Sequence, residues 1–220
     1  MLLAAAPLQV AADVWLLPGF ADSAQLLPLV TAIAEQAPFR HMQVPGGATM
    51  AVAVTNCGEL GWTSDAHGYA YRPRDPLSGQ PWPAMPSRFL DLAVRAAAAG
   101  GWRDFRPDAC LVNRYAVGAG VGLHQDRNEA DLMQPIVSVS LGASCRFMLG
   151  GIKRNDPVRS HDLHDGDVMV WGGSARLVFH GVRPLRLGTR HNITFRKAGP
   201  LAASRPSGPA FGPTASRPQR

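Results

Sequence analysis

Ile136-Val-Ser-Val-Ser-Leu141 alternates branched apolar residues with serine, which is the pattern of a short β-strand. Five similar runs lie after residue 108, each bounded by Gly, Pro, Asn or Asp: Ala109–Tyr115, Arg146–Leu149, Asp167–Trp171, Leu177–His180 and His191–Phe195. Six short runs without intervening helical periodicity predict an antiparallel β structure, closed as a sandwich, a jelly roll or a barrel.

The composition is that of a folded, turn-rich chain. Of the 220 residues, 46% are hydrophobic and 17% are charged, which argues against a disordered protein and allows one substantial core or two small domains. The 23 glycines and 19 prolines leave little room for long helices, so we do not expect an all-α bundle or a coiled coil. The net charge of +6 suits a polyanionic partner such as nucleic acid.

The first half of the chain predicts fewer regular elements. Val14–Leu17 reads as a short strand, and Ser23 is expected to cap a helix whose apolar residues recur at helical spacing. A second helix is predicted over Ser87–Ala99, where Gly100 follows as a stop. Between the helices, Pro45–Pro86 is rich in glycine and proline and predicts loops, whose aromatic residues serve either local packing or a binding face.

Cysteine usage and the two ends of the chain bear on its location. Cys57, Cys110 and Cys145 are an odd number without CxxC spacing, which indicates a reducing, cytoplasmic compartment and no disulfide framework. The apolar start lacks a basic region, so we expect no signal peptide, and no apolar run reaches the ~20 residues of a membrane span. Residues 200–220 contain five prolines and no periodicity, which predicts a disordered basic tail. Without heptads, we expect a monomer.

One histidine has the spacing of a metal ligand. Of the seven histidines, only His124 has a carboxylate two positions later, Asp126, and on an extended segment both side chains point to one side. His180 ends a predicted strand whose antiparallel return could add the third ligand. Two histidines and one carboxylate are the ligand set of non-haem iron(II) oxygenases. Zinc hydrolysis is the rival chemistry, but no HExxH pattern supplies its base. The cluster His161–Asp165 reads more simply as a solvated turn.

Two arginines favour iron over zinc. An iron oxygenase of this kind needs a 2-oxoacid, and the far carboxylate of that acid needs a planar, two-pronged donor such as Arg190 or Arg196. The run that ends at Arg196 alternates, so that Asn192, Thr194 and Arg196 share one side. The alternative is that both arginines are surface charges at strand ends.

Several segments together carry a specific resemblance. They are Met50-Ala-Val-Ala-Val-Thr-Asn-Cys-Gly58, Leu60-Gly-Trp62, Pro81-Trp-Pro-Ala-Met-Pro86, Asn113-Arg-Tyr115, Leu123-His-Gln-Asp126, Pro135-Ile-Val-Ser-Val-Ser-Leu141, Gly150-Gly-Ile-Lys-Arg-Asn-Asp-Pro157 and Asn192-Ile-Thr-Phe-Arg196. With these segments, nearly all of residues 8–199 resembles the bacterial AlkB dealkylases.

The resemblance implies both a fold and an activity. The fold is α+β and mainly β: N-terminal helices and a nucleotide-recognition lid in residues 1–108, then a double-stranded β-helix, or jelly roll, in residues 109–199 that carries the active site. The activity is Fe(II)-, 2-oxoglutarate- and O2-dependent demethylation of bases such as 1-methyladenine and 3-methylcytosine, a direct repair that releases formaldehyde, succinate and CO2. The expected partner is alkylated single-stranded or duplex DNA, with RNA as a further candidate, and no membrane.

The resemblance also assigns roles to residues of this chain. It implies that His124, Asp126 and His180 hold iron, that Arg196 grips the distal carboxylate of 2-oxoglutarate, and that Arg190 grips the carboxylate nearer the metal. The remaining implied contacts are Asn113, Tyr115 and Asn192 with the cosubstrate, and Trp62, Tyr69 and Arg154 with the damaged base and its neighbouring phosphate.

Two departures from the family pattern stand out. Asn128 replaces a second aspartate of the best-known members at a position expected to touch the base, and the loop before Arg190 is several residues shorter. Two other functions remain open at this point: a catalytically silent nucleic-acid-binding protein and a small-molecule hydroxylase. The complete ligand set argues against the first, and the lid aromatics and basic balance argue against the second.

Overall fold

The computed structural model describes residues 6–199, and the predicted tail lies outside the described residues. Its strands are β1 (Leu8–Ala11), β2 (Val14–Leu17), β3 (Arg40–Gln43), β4 (Thr49–Gly58), β5 (Gly61–Asp65), β6 (Gly68–Arg72), β7 (Ala109–Tyr115), β8 (Val121–His124), β9 (Ile136–Gly142), β10 (Cys145–Leu149), β11 (Arg159–Leu163), β12 (Val168–Trp171), β13 (His180–Val182) and β14 (Arg190–Arg196). Its helices are α1 (Ser23–Gln36) and α2 (Ser87–Ala99).

Two antiparallel sheets form the body of the molecule. The larger has eight strands in the order β1-β2-β12-β9-β14-β7-β4-β3, and the smaller has four in the order β11-β10-β13-β8. Strand β9 shows how the sheets pack, because alternate side chains point to opposite faces. Val137, Val139 and Leu141 join the core beneath the helices, while Ser138 and Ser140 take the opposite side of the strand. The two sheets make the predicted jelly roll.

The molecule has two hydrophobic cores. One lies between the helices and the large sheet, and the other lies between the two sheets. Phe147 and Val182 of the small sheet cluster with Met169 and Trp171 of the large sheet. Phe89 of α2 packs edge-on against Phe195 of β14, at 5.9 Å between ring centroids. The large sheet is thus buried on both faces, and the space between the sheets is where polar side chains of β7, β9 and β14 can surround a ligand.

Both predicted helices are present over the expected residues, but the cap of α1 differs. The N-cap is Asp22, whose side chain accepts a hydrogen bond from Ala24 N at 3.0 Å. Ser23 is the first helical residue, and its hydroxyl instead donates to Asp165 in the loop before β12. An aspartate one residue earlier satisfies the helix terminus equally well, so the local pattern could not separate the two.

Three local predictions are wrong in their secondary structure. Much of Pro45–Pro86, predicted as loops, forms β4, β5 and β6, because β4 pairs with the distant β7 over six residues. The cluster His161–Asp165, predicted as a turn, begins within β11, where His161 lies opposite Phe147. The run Leu177–His180 is not a strand until its last residue, since a 3-10 turn at Gly173–Ala175 precedes it.

The N-terminal part is built into the same sheet as the rest. Strands β1 to β4 extend the large sheet on both sides, so the predicted boundary at residue 109 falls between paired strands. Strands β5 and β6 form a separate hairpin, called here the lid hairpin, with Asp65 opposite Gly68 at its tip. All three cysteines are free and buried. None of the helices in residues 6–199 combines the length and the apolar character that a bilayer crossing requires.

Candidate active site

Three candidate metal ligands meet where the two sheets open. His124 is the last residue of β8, His180 is the first residue of β13, and the two are Cα partners in the small sheet. Asp126 lies two residues after His124. Its Oδ1 is 3.7 Å from His124 Nε2, and its Oδ2 is 3.8 Å from His180 Nε2. The possible ligand atoms all lie within 4.8 Å of one another, and this is the one such group in residues 6–199.

Backbone contacts orient both imidazoles. Nδ1 of His124 lies 2.9 Å from Gly122 O, and Nδ1 of His180 lies 3.1 Å from Val178 O. A carbonyl only accepts, so each Nδ1 carries the hydrogen, and Nε2 is the ring nitrogen that faces Asp126. Burial, and then the nearby His124, lowers the pKa of His180 to about 4, which keeps this ring neutral. Two histidines and a carboxylate whose possible ligand atoms converge in this way fit an iron(II) ion.

Glycine is required where β13 approaches β8. A Cβ added at Gly181 would lie 2.7 Å from Val121 O, which is closer than side chains and backbone normally approach. The β-bulge next to His180 depends on this close approach, because the strand register shifts between His180 and Val182. Gly181 therefore allows the two histidines to lie side by side.

Arg196 holds the carboxylate of the group. Its Nη2 and Nε donate to Asp126 Oδ2 at 2.7 and 3.2 Å. Burial alone would raise the pKa of Asp126, but the Arg196 guanidinium, with help from His180 and His124, holds it well below its usual range. Asp126 is therefore an anion whose other oxygen, Oδ1, is turned toward His124.

Arg190 lies at the other end of the same face of β14 and is 1% exposed. Its guanidinium lies over the Tyr115 ring, 5.0 Å from the centroid, and Nη2 donates to Ser140 Oγ at 2.9 Å. Its Nε and Nη1 have no hydrogen-bond partner, and no carboxylate lies within 4 Å, among the residues that the structure describes. A buried cation with unused donors is suited to bind an anion.

One cavity of about 410 Å³ connects these features. It is lined by eleven of the twelve residues that the sequence singles out: Trp62, Tyr69, Asn113, Tyr115, His124, Asp126, Asn128, His180, Arg190, Asn192 and Arg196. Arg154 is the exception, being exposed beside the cavity with Nη1 3.3 Å from Leu123 O.

Comparison of the sequence with known proteins identifies the family of this chain. Residues 13–196 match the model of the 2OG-Fe(II) oxygenase superfamily. The chain is also 53% identical over 199 residues to alpha-ketoglutarate-dependent dioxygenase AlkB of Escherichia coli K12, across 86% of this chain and 92% of that one. The chain belongs to the AlkB family of 2OG-Fe(II) oxygenases.

Two further matches extend this result. Nucleic acid dioxygenase ALKBH1 of Homo sapiens is 34% identical over 124 residues, which are 56% of this chain and 32% of the human one. The solved structure of OsALKBH1 has the same fold, with a TM-score of 0.74 and 24% identity over 87% of this chain and 99% of that one. This AlkB-family chain is thus a jelly-roll dioxygenase that uses Fe(II), 2-oxoglutarate and O2.

The lid hairpin presents an aromatic pair to the cavity. The rings of Trp62 on β5 and Tyr69 on β6 stack at 5.5 Å, with an angle of 20° between their planes. The backbone of Trp62 is fixed by the fully buried Asn56, which accepts from Trp62 N at 2.9 Å and donates to Trp62 O at 3.0 Å. Asn56 lies in one of the segments that carry the resemblance, but the sequence does not show that its side chain pairs with the backbone of Trp62.

The contacts of Asn192 favour a structural role over the predicted contact with the cosubstrate. Both amide hydrogens are used inside the sheet, because Nδ2 donates to Ser138 Oγ at 2.8 Å and to Val139 O at 2.9 Å. Its oxygen accepts from Thr194 Oγ1 at 3.0 Å. Asn192 therefore lies in the cavity wall without a spare donor for a carboxylate, and what it does is join β14 to β9. Asn113 reaches Asn192 Oδ1 at 3.4 Å and keeps one amide hydrogen for another partner.

The sequence reading missed several residues of the site. Ser138 and Ser140 support Asn192 and Arg190, and the Val-Ser alternation of β9 could have identified them as a shared face. Glu129 and Arg176 form a buried ion pair at 2.9 Å just behind Asp126. No local signal marks these two, since a charged residue in a loop is exposed by default.

The contacts also favour the opposite assignment of the two arginines from the one that the resemblance implied. Arg196, expected to hold the distal carboxylate, is engaged with Asp126 at the metal end. Arg190, expected to serve the carboxylate nearer the metal, is the one with unused buried donors. The alternation of β14 put both on one face but could not tell which of them faces Asp126, because Asp126 comes from a separate loop.

Proposed function

We propose that this dioxygenase oxidatively demethylates N-alkylated bases, of the 1-methyladenine and 3-methylcytosine type, in DNA and in RNA. The observation that carries the proposal is the single cavity in which the candidate iron ligands, an unpaired buried arginine and a stacked aromatic pair face one another. The similarity to a human nucleic acid dioxygenase supports the substrate class.

In this proposal, His124, Asp126 and His180 hold the iron. With 2-oxoglutarate and O2, the bound metal supplies the oxidation that converts an N-methyl group to formaldehyde, with succinate and CO2 as the other products. The chain needs no nucleophile of its own for this reaction, because a hydroxymethyl group on nitrogen leaves as formaldehyde unaided. Its task is to bind, to orient and to exclude water.

The two arginines divide the cosubstrate between them. Arg190 takes the distal carboxylate, since Nε and Nη1 of its buried guanidinium are free and Nη2, which gives one hydrogen to Ser140, keeps a second one that completes a two-pronged contact with either of them. Tyr115 bounds the same end, and burial raises the pKa of Tyr115, so that its phenol stays protonated and can donate. Arg196 orients Asp126 and faces the carboxylate nearer the metal, with Asn113 contributing an amide hydrogen.

The lid hairpin receives the base. The atom to be demethylated takes part in base pairing, so the base must be flipped out or come from a single strand. Trp62 and Tyr69 offer a stacking surface at the cavity, and base-aromatic stacking is worth about 1 to 3 kcal/mol per base. Asn128 lines the same cavity, and the exposed Arg154 beside it is suited to a phosphate. We also propose that the enzyme acts as a cytoplasmic monomer, where its three free cysteines stay reduced.

Formaldehyde release tests the proposal. An oligonucleotide with one 1-methyladenine is incubated with the iron-loaded protein, with and without 2-oxoglutarate, and the unmethylated oligonucleotide serves as the control. We expect formaldehyde and the restored base only when both the methyl group and 2-oxoglutarate are present. Succinate formation that no methylated DNA or RNA stimulates would overturn the proposal and favour a small-molecule substrate.

A further inference from the structure

Glu129 is a buried carboxylate for which the proposed reaction gives no contact with the metal, the cosubstrate or the base. Its side chain is 2% exposed, and it lies three residues beyond Asp126 in the loop after β8. Two donors from separate elements bind it, Tyr71 Oη of the lid hairpin at 2.6 Å and Arg176 Nη2 at 2.9 Å, and Arg196 Nε of β14 lies 3.4 Å away as an ion pair. One carboxylate thus joins the lid, the loop that carries Asp126 and the large sheet.

Arg176 fixes the backbone of that loop. Besides its bond to Glu129, it donates from Nη1 to Asp126 O at 3.0 Å and from Nε to Gln134 O at 3.1 Å. It follows the 3-10 turn and stands four residues before His180. The Glu129–Arg176 pair therefore connects the segments that carry two of the three candidate metal ligands.

The network is balanced in charge and largely buried, with Asp126 and Arg196 at the cavity. Burial raises the pKa of Tyr71 well above its usual range, and the neighbouring Glu129 raises it further, so the phenol keeps its proton and donates it. The carboxylates of Asp126 and Glu129 then face the guanidinium groups of Arg176 and Arg196. A buried, fully paired network has little freedom to change at one member without affecting the next.

Arg196 transmits such a change to the metal end. Its Nε donates to Asp126 Oδ2 at 3.2 Å and lies 3.4 Å from Glu129 Oε1 as an ion pair, so one guanidinium faces both carboxylates. Tyr71 Oη binds the same oxygen of Glu129. Tyr71, Glu129, Arg196 and Asp126 thus form one chain of contacts from the lid hairpin to the metal end.

We propose that Glu129 is a positioning residue that couples the lid hairpin to the metal end of the cavity, so that 2-oxoglutarate and the nucleic acid each strengthen the binding of the other. This coupling rests on the proposed function, because it takes a methylated oligonucleotide as the ligand under the lid. By linkage, the factor by which one ligand tightens the other is the same in both directions.

The first test is Tyr71→Phe, which removes the hydroxyl that contacts Glu129 and keeps the ring. The full chain is loaded with Mn(II), so that no turnover occurs, and the Kd of a methylated oligonucleotide is measured with and without 2-oxoglutarate. We expect 2-oxoglutarate to tighten binding by about 5-fold or more in the wild type and by less than about 2-fold in the variant. A ratio in Tyr71→Phe equal to that of the wild type, or a wild-type ratio near 1, would overturn the coupling.

Ser64→Ala is the matched control within the same hairpin. The Ser64 hydroxyl donates to Gln43 O of β3, so its removal loosens the lid without touching the Glu129 network. We expect a lower melting temperature and an unchanged coupling ratio. A ratio lost in Ser64→Ala as well would mean that any weakening of the hairpin acts in this way, which overturns the specific role of Glu129.

Hydrogen exchange tests the same link without nucleic acid. Addition of 2-oxoglutarate to the Mn(II)-loaded wild type should slow amide exchange in Gly61–Arg72, and this protection should be absent in Glu129→Gln and in Tyr71→Phe. Protection that persists in Tyr71→Phe would overturn the proposal even if Glu129→Gln does not fold. If the wild type bound no methylated oligonucleotide but showed the protection, the proposed substrate would be wrong and the coupling to the lid would stand.

Discussion

The two ends of the cavity are built on opposite charge balances, although each centres on an arginine of the same face of β14. At the metal end, Arg196 faces two carboxylates, Asp126 at 2.7 Å and Glu129 at 3.4 Å. At the far end, Arg190 is as deeply buried and faces no carboxylate within 4 Å in the described residues. Arg196 is thus paired with carboxylates of the protein itself, whereas the proposed partner of Arg190 is a carboxylate of the cosubstrate.

This difference shows how the fold separates stability from binding. An unpaired buried charge costs on the order of several kcal/mol, whereas a paired and hydrogen-bonded one is tolerated. The metal end is therefore held together before any ligand arrives. On the proposed assignment, the unpaired charge of Arg190 should oppose folding, and binding of the distal carboxylate of 2-oxoglutarate should offset that cost.

The largest expected effect comes from breaking the metal end. Asp126→Ala removes the only anionic ligand of the candidate iron group and should reduce formaldehyde release to background, while the strand faces that form the core remain intact. Loss of Asp126 also frees Arg196, so metal affinity and 2-oxoglutarate affinity should both fall. Turnover near the wild-type rate would show that the iron is held elsewhere.

Stability measurements compare the two ends without any ligand. Arg196→Met leaves Asp126 and Glu129 short of a partner and should destabilise the metal-free protein by about 3 to 5 kcal/mol. Arg190→Met removes a buried charge that has no acid beside it and should leave the stability unchanged or raise it. Denaturant unfolding of both variants decides the matter, and equal destabilisation would contradict the proposed difference between the ends.

Cosubstrate binding distinguishes the arginines next. Arg190→Lys replaces a two-pronged donor by a point charge, so the KM for 2-oxoglutarate should rise by roughly 5- to 150-fold, or about 1 to 3 kcal/mol. A 2-oxoacid without the distal carboxylate, such as 2-oxobutyrate, should inhibit this variant as well as it inhibits the wild type. Arg196→Lys is the matched variant, and it should weaken both acids alike.

The reverse pattern would restore the assignment that the sequence resemblance implied. If Arg196→Lys affected only the acid with two carboxylates, the distal site would lie at Arg196. The two readings cannot both hold, because a donor can discriminate between the acids only if it contacts the carboxylate in which they differ.

The two ends also differ in how much of their structure could be predicted from the sequence. Alternation predicted β7 over Ala109–Tyr115 as observed, and it put the polar residues of β14 on one face. The motif around His124 identified the candidate ligands because two of them are neighbours in sequence. What remained hidden depends on partners that are distant in the chain, such as Asp126 for Arg196 and Arg176 for Glu129.

The lid region shows the same limit in secondary structure. Glycine and proline are frequent in Pro45–Pro86 and locally favour loops, yet β4 is a strand of ten residues because β7 pairs with its last six residues and β3 pairs along its other edge. Tertiary pairing overrides propensity most readily in strands. The local pattern did not predict the β5–β6 hairpin either. The lid was predicted only from the family resemblance.

The smallest expected effect concerns the mouth of the cavity, at Asn128. Bases methylated at N1 of adenine or N3 of cytosine are cationic at neutral pH, whereas the corresponding guanine and thymine lesions are neutral. Asp126 is the one carboxylate that lines the cavity within residues 6–199, and Arg196 already neutralises it. Asp65, a further acid of the lid, is engaged by its own turn and by Arg72.

The wild type therefore lacks a free anion at the base, and Asn128→Asp should supply one. A charge-assisted hydrogen bond exceeds a neutral one by roughly 1 kcal/mol, so kcat/KM for cationic lesions should rise by about 5-fold relative to neutral ones. The ratio is measured for both lesion classes in the wild type and in the variant, which cancels changes in folding or metal content. An unchanged ratio would mean that Asn128 does not contact the base and that preference for a cation is set elsewhere.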